Sequence, residues 1–75
     1  MAQSLISIVV PVYMESKGLR SLVERLDLVT AEFQEYNWRY VLVNDGSDDD
    51  SWALIQTLSE ENPRVVGIDL SRNFG

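Results

Sequence analysis

Residues 39–44 have the sequence RYVLVN and continue directly into DGSDDD at residues 45–50. The nearly continuous apolar run in the first segment predicts a strand buried on both faces. The Asp, Gly and Ser residues that follow it predict a tight turn. Acidic residues suit the positive end of a helix dipole, so one of the aspartates is expected to cap a helix beginning near residue 50. This stretch therefore predicts a strand, a turn and a helix in immediate succession.

The same kind of strand is predicted on both sides of this stretch. Residues 5–12, with the sequence LISIVVPV, are rich in β-branched residues and mostly apolar on both faces. Pro11 has no N–H for a sheet ladder, so the first strand is expected to end close to it. Residues 64–70, with the sequence RVVGIDL, predict a third strand.

Helical periodicity fills the two intervals between these strands. Apolar residues spaced by three and four predict an amphipathic helix over 17–36, and a shorter apolar stripe predicts a second helix over 50–61, ended by Asn62 and Pro63. The predicted apolar face of the first helix consists of Leu19, Leu22, Val23, Leu26, Val29, Phe33 and Tyr36. The chain is thus predicted to be α/β in class, with the order β-α-β-α-β.

This topology leaves one face of the sheet without a cover. Strand–helix–strand crossovers are right-handed, so strands added in one direction place both helices on the same face. Strands that are apolar on both sides then expose one apolar face, whereas parallel sheets are normally covered on both. Residues 1–75 are therefore predicted to be a truncated, amino-terminal part of a larger α/β domain. The uncovered face is a candidate surface for self-association.

Composition excludes several classes of function. The 75 residues carry six Lys and Arg against twelve Asp and Glu, for a net charge of −6, and contain no Cys or His. Such an acidic chain is not expected to bind nucleic acid or an anionic membrane. A thiol nucleophile, a His general base and a Cys/His zinc site are excluded. The amino terminus lacks the basic residues of a signal peptide, and no apolar run approaches membrane-spanning length, so a cytoplasmic location is expected.

Polar segments follow each predicted strand at its carboxyl end, where open α/β sheets bind their ligands. The dinucleotide-binding G-x-G-x-x-G pattern and the P-loop pattern are both absent from the sequence. Taken singly, each polar segment has a simple structural explanation. Asp45 and Gly46 suit a plain turn, Tyr13 and Glu15 suit a strand end, and the acids at 48–50 suit a helix cap in a solvated turn.

Taken together, three segments resemble family 2 glycosyltransferases. They are VVPVYME at residues 9–15, VNDGSDD at residues 43–49 and DLSRNFG at residues 69–75. The resemblance covers essentially the whole chain. It is closest to the branch that moves a sugar from a nucleotide-sugar to a polyprenyl or dolichol phosphate. One position departs from the family pattern, because Met14 stands where the family has Asn and lacks the polar contact of that amide.

The resemblance implies a Rossmann-like nucleotide-diphospho-sugar transferase fold of the GT-A type, in which this segment holds the nucleotide. Pro11, Tyr13 and Glu15 would line the base and ribose site. Asp45 would accept a hydrogen bond from a base N–H, with Val43 beside it. These roles suit the residue types, since a Tyr ring stacks on a base and a carboxylate accepts strong hydrogen bonds.

The resemblance also implies what this chain lacks. The metal-binding Asp-x-Asp of the family and its catalytic Asp lie beyond the third strand, so no catalytic or metal-binding residue is assigned here, including among Asp48, Asp49 and Asp50. The full-length protein would use a UDP- or GDP-sugar, Mg²⁺ or Mn²⁺, and a lipid phosphate acceptor, at the cytoplasmic side of a membrane. The alternative is a non-catalytic remnant, or a small nucleotide-binding or interaction module.

Overall fold

The computed structural model describes residues 4–13, 16–46 and 50–70. Its elements are β1 Leu5–Val12, α1 Ser16–Thr30, β2 Asn37–Asn44, α2 Ser51–Glu61 and β3 Val65–Asp69. The predicted β-α-β-α-β order is confirmed, and the three strands and α2 lie within two residues of their predicted bounds. The amino-terminal end of α1 also agrees, but its carboxyl end does not.

The strands form one parallel sheet with the order β1-β2-β3. Leu5 pairs with Asn37 and Val12 with Asn44 across β1 and β2, while Asn44 pairs with Asp69 across β2 and β3. This is the parallel arrangement that a helical crossover requires. All three strands consequently end at the same edge of the sheet, which is called the carboxyl edge below.

The predicted bounds of β1 are confirmed, and the strand continues one residue past Pro11 to Val12. The carbonyls of Ser4 and Val12 accept hydrogen bonds from the backbone N–H groups of Asn37 and Asp45. Backbone groups alternate in direction along a strand, so even-numbered residues of β1 point their N–H and C=O groups toward β2. Pro11 is odd-numbered, and its missing N–H would have pointed to the free side of β1, where the ladder needs no donor.

The predicted extension of α1 to residue 36 is wrong, because the helix ends at Thr30. A helix over 17–36 would be about 30 Å long, whereas the eight-residue strand β1 spans about 26 Å. The chain must turn earlier so that Asn37 can pair with Leu5. As a result Phe33 and Tyr36, predicted on the apolar face of this helix, lie beyond its end and are exposed. Val29, from the same predicted face, lies within α1 and is exposed as well.

Both helices pack on one face of the sheet, as predicted. Their buried residues share one core with the strands, made of Val12, Leu19, Val23, Tyr40, Leu42, Ile55, Leu58 and Val65. The opposite face has no cover from the described residues, and Leu5, Val9 and Ile68 remain 52%, 65% and 40% exposed there. Within the described residues, neither helix combines the length and apolarity needed to cross a bilayer.

Candidate functional site

The carboxyl edge brings together the ends of the three strands. Val12, Asn44 and Asp69 are successive register partners and form a row across the sheet. Tyr13 and Asp45 each follow one member of this row, so they leave neighbouring strands at the same edge. Open α/β sheets bind their ligands at this position.

Asp45 is held at this edge through its backbone rather than its side chain. Its N–H donates a hydrogen bond of 3.0 Å to the carbonyl oxygen of Val12, while the residue as a whole is exposed. The next residue, Gly46, has φ 76°, a conformation that L side chains rarely adopt. The chain therefore turns away sharply after Asp45, which is exposed to solvent. Tyr13, at the end of the neighbouring strand, is 62% exposed.

The other predicted site residues lie close to this pair or outside the described residues. Pro11 and Val43 are register partners one step back from Val12 and Asn44, on the uncovered face of the sheet. An apolar depression of about 330 Å³ flanks this end of β1. It is lined by Val10, Pro11, Val12, Gly18, Leu19 and Leu22. Glu15, like Met14, lies outside the described residues.

Asn44 is a residue of this edge that the sequence analysis did not single out. It is only 1% exposed, and its Nδ2 donates a hydrogen bond of 3.2 Å to Oδ1 of Asp69. Its Oδ1 is buried and has no hydrogen-bond partner among the described residues. The sequence of β2 does contain a signal for this burial. Alternate residues of a strand share one face, so Asn44 falls on the same core-facing side as Tyr40 and Leu42 although it is polar.

The predicted aspartate cap of α2 is not formed by Asp50. This residue occupies the N-cap position with φ −80° and ψ 10°, but its side chain makes no capping hydrogen bond. Its backbone carbonyl accepts the first helical hydrogen bond, from Leu54 N at 3.0 Å. An N-cap side chain typically reaches back from β-region backbone, which Asp50 does not have. Asp48 and Asp49 lie outside the described residues.

A second group of polar side chains lies at the opposite, amino-terminal edge of the sheet. The Tyr40 hydroxyl donates to Oδ1 of Asp27 at 2.7 Å and lies 2.8 Å from Oγ1 of Thr30. Asn62 Nδ2 donates to Oδ2 of Asp27 at 3.0 Å. Burial raises the pKa of the Tyr40 hydroxyl, and its hydrogen bond to Asp27 adds to this effect. These groups join α1, β2 and the end of α2.

An open cavity of about 480 Å³ adjoins this amino-terminal edge, and Asp27, Trp38 and Arg64 are among its lining residues. It lies away from the carboxyl ends of the strands, where a ligand of such a sheet is expected. Within residues 4–13, 16–46 and 50–70, no three acidic side chains come together in a way that would hold a metal ion. The exposed groups that the described part of the carboxyl edge offers are the Tyr13 ring and the Asp45 carboxylate.

Comparisons with known proteins agree on one family. The model of Glycosyl transferase family 2 matches residues 7–75. The "Uncharacterized glycosyltransferase YkcC" of Bacillus subtilis is 45% identical over 69 residues, covering 92% of this chain and 21% of that protein. The chain spans about a fifth of the length of the curated relatives described here.

Two further relatives carry a more specific name, "Undecaprenyl-phosphate 4-deoxy-4-formamido-L-arabinose transferase". The protein from Aeromonas hydrophila is 36% identical over 72 residues, which cover 95% of this chain and 22% of the relative. The protein from Shewanella sediminis is 41% identical over 71 residues, with coverage of 93% and 21%.

Proposed function

Because this chain belongs to glycosyl transferase family 2, we propose that it is the nucleotide-sugar-binding, amino-terminal portion of a longer glycosyltransferase. The observation that carries the proposal is the position of Asp45. Its exposed carboxylate follows β2 at the carboxyl edge, while its N–H is bound to the Val12 carbonyl at 3.0 Å. Because the backbone of Asp45 is already fixed, a ligand that binds its carboxylate loses less free energy to ordering this residue.

The proposed contacts divide the nucleotide between the two exposed strand ends. Tyr13 stacks on the base, and Asp45 accepts a hydrogen bond from a ring N–H of that base. Glu15 accepts from the ribose hydroxyls, while Pro11 and Val43 supply apolar contact from the neighbouring register position. Uracil and guanine both carry a ring N–H beside a carbonyl, so UDP- and GDP-sugars both satisfy this arrangement.

Charge also favours recognition of the base and ribose over recognition of the diphosphate. With a net charge of −6, the chain repels a polyanionic ligand at long range. Binding energy from this segment must therefore come from stacking and from hydrogen bonds to uncharged groups of the nucleotide. The diphosphate and the transferred sugar would be bound mainly by residues of the longer protein.

The role of this chain in the reaction is to bind and orient the donor. Divalent metal ions stabilise a departing diphosphate in reactions of this kind, and we expect Mg²⁺ or Mn²⁺ in the full-length protein. The described residues do not fit such an ion, because no three acidic groups converge among them. On the resemblance to the family, whose metal-binding Asp-x-Asp and catalytic Asp lie beyond the third strand, we assign the metal ligands and the base that activates the acceptor to residues outside this chain.

The acceptor proposed for the full-length protein is a polyprenyl phosphate. Support comes from the relatives named undecaprenyl-phosphate 4-deoxy-4-formamido-L-arabinose transferase, which match 93% or more of this chain. An acceptor of that type is anchored in a bilayer, so the longer protein would work at the cytoplasmic side of a membrane. The alternative is a non-catalytic remnant, or a small nucleotide-binding or interaction module.

The experiment that tests the site is a calorimetric titration of the full-length protein with UDP, GDP, CDP and ADP, with and without Mn²⁺. CDP has the same ribose and diphosphate as UDP, but its ring N3 is an acceptor and carries no hydrogen; ADP is related to GDP in the same way. Loss of one hydrogen bond to a charged group predicts binding about tenfold to a hundredfold weaker for CDP or ADP. Equal affinity for all four nucleotides, or binding of none, would contradict the proposed site.

A further inference from the structure

Asn44 is a buried polar residue in a position where the fold alone would favour an apolar one. It lies on the core-facing side of β2, two positions beyond the fully buried Leu42. Its Oδ1 is buried and lacks a hydrogen-bond partner among the described residues. A buried acceptor without a donor costs free energy, and its presence in a native structure calls for an explanation other than packing.

The other half of the same amide makes a specific contact. Nδ2 donates to Oδ1 of Asp69 at 3.2 Å, linking the last residue of β2 to the last residue of β3. Only the NH₂ group of Asn44 can face this carboxylate, since the reverse orientation would set two acceptors against each other. The bond therefore fixes the orientation of the amide.

This side-chain bond completes the attachment of β2 at the carboxyl edge. On one side the N–H of Asp45 is bound to the Val12 carbonyl of β1, and on the other Asn44 is bound to Asp69 of β3. Asp45 directly follows Asn44, so any movement of the end of β2 moves the Asp45 carboxylate as well. An aspartate at position 44 would place a second carboxylate against Asp69 and break the attachment by like-charge repulsion.

We propose that Asn44 is a positioning residue, which holds the Asp45 carboxylate in place for nucleotide recognition through its uncharged amide bond to Asp69. The inference rests on the proposed function, because it assigns Asn44 a role in the same site. It extends that function by making the hydrogen-bonded pair of Asn44 and Asp69 a determinant of nucleotide affinity. Neither residue needs to touch the nucleotide.

The test is a set of variants of the full-length protein titrated with UDP and GDP. Asn44→Asp is expected to weaken binding about tenfold, because the carboxylate of residue 45 is no longer held in place. Asp69→Asn keeps an acceptor oxygen for Asn44 and is expected to bind nearly as wild type. The double variant N44D/D69N reverses donor and acceptor, re-forms the bond and is expected to recover the affinity to within about twofold.

A second comparison separates positioning from a general structural role. In a D45N background the group being positioned has been changed, so adding N44D should have little further effect on affinity. Folding of each variant is followed by thermal unfolding, and protection of the Asp45 amide from hydrogen exchange reports on its bond to Val12. If N44D does not fold, the double variant decides, since it must both fold and bind as wild type.

The possible results are distinguishable. Three results would each overturn the positioning role while leaving the proposed function intact. The first is wild-type affinity in N44D, and the second is failure of N44D/D69N to recover binding. The third is an equal effect of N44D on affinity with and without D45N. Absence of nucleotide binding by the wild-type protein would overturn both the proposed function and this inference.

Discussion

The hydroxyl of Tyr40, on β2, donates a hydrogen bond of 2.7 Å to Oδ1 of Asp27, on α1. Tyr40 is fully buried, and its ring belongs to the core beneath both helices. The same carboxylate accepts from Asn62 at 3.0 Å, immediately after α2. One acidic side chain thus joins both helices to the central strand, at the end of the sheet opposite the candidate site.

Removing the Tyr40 hydroxyl is expected to destabilise the fold. Tyr40→Phe keeps the ring but leaves Asp27 and Thr30 without their shared partner, so the free energy of unfolding should fall by about 1–3 kcal/mol. Urea unfolding followed by circular dichroism measures the change. Tyr36→Phe, at an exposed ring, is the matched control and should change stability by less than about 0.5 kcal/mol. Equal effects of the two substitutions would contradict the role of this hydrogen bond.

The same hydroxyl predicts a loss of stability at alkaline pH. Burial, with the hydrogen bond to Asp27, raises the pKa of Tyr40 above the unfolded value of about 10. The unfolded chain therefore loses this proton first, and the contribution to stability declines as the pH rises from about 10 through the folded pKa. Unfolding free energies measured across this range should fall more steeply for the wild type than for Tyr40→Phe. Parallel curves for the two proteins would show that Tyr40 does not titrate abnormally.

Gly67 is expected to be required by the packing of α2 on β3. A Cβ at this position would lie 2.5 Å from Cγ2 of Ile55 and 3.3 Å from the Trp52 ring. Gly67→Ala should therefore destabilise the protein by about 1–3 kcal/mol through overpacking. In an Ile55→Ala background the cost should shrink, because the facing methyl group is gone. Denaturant unfolding of the four proteins gives the coupling, and additive effects would argue against a clash.

Asp45→Asn should change nucleotide discrimination as well as affinity. An amide can accept from the N–H of uracil or donate to the ring nitrogen of cytosine, so the preference for UDP over CDP should shrink by about tenfold or more. Asp50→Asn is the matched control, since Asp50 is exposed and makes no side-chain capping bond. Titration of both variants in the full-length protein provides the measurement. A similar loss in both would mean that the acids act only through overall charge.

Residues 1–75 expressed alone are expected to self-associate through the uncovered sheet face. Val9 is 65% exposed in the middle of β1 on that face, where apolar area in contact with water favours association. Val9→Lys should shift the chain toward monomer in sedimentation experiments. Leu28→Lys is the control, because Leu28 is also apolar and is 72% exposed but lies on α1. A shift of the same size with Leu28→Lys would indicate non-specific association.

The elements whose signals are local in sequence were the ones predicted most accurately. The three strands, α2 and the start of α1 could be located because alternation and three-to-four spacing depend on residues a few positions apart. Tyr13 and Asp45 were expected at one edge because parallel strands end together, and the register of Val12 with Asn44 confirms this placement. Their contacts with a nucleotide stay predictions.

The features that could not be predicted depend on interactions between distant parts of the chain. The apolar spacing that includes Phe33 and Tyr36 continues past Thr30, yet α1 stops there because Asn37 must return to pair with Leu5. Asn44 looked like the ordinary end of an apolar strand until the register placed it beside Asp69, 25 residues later.

What the sequence by itself determined is the order of the elements and the edge at which their polar residues collect, since both follow from local periodicity and parallel topology. Only the tertiary structure decided the length of α1 and the link between Asn44 and Asp69. Each of these depends on which backbone and side-chain groups meet after the strands have aligned. The physical reason is that hydrogen bonds and packing between elements are set by register, which no short stretch of sequence contains.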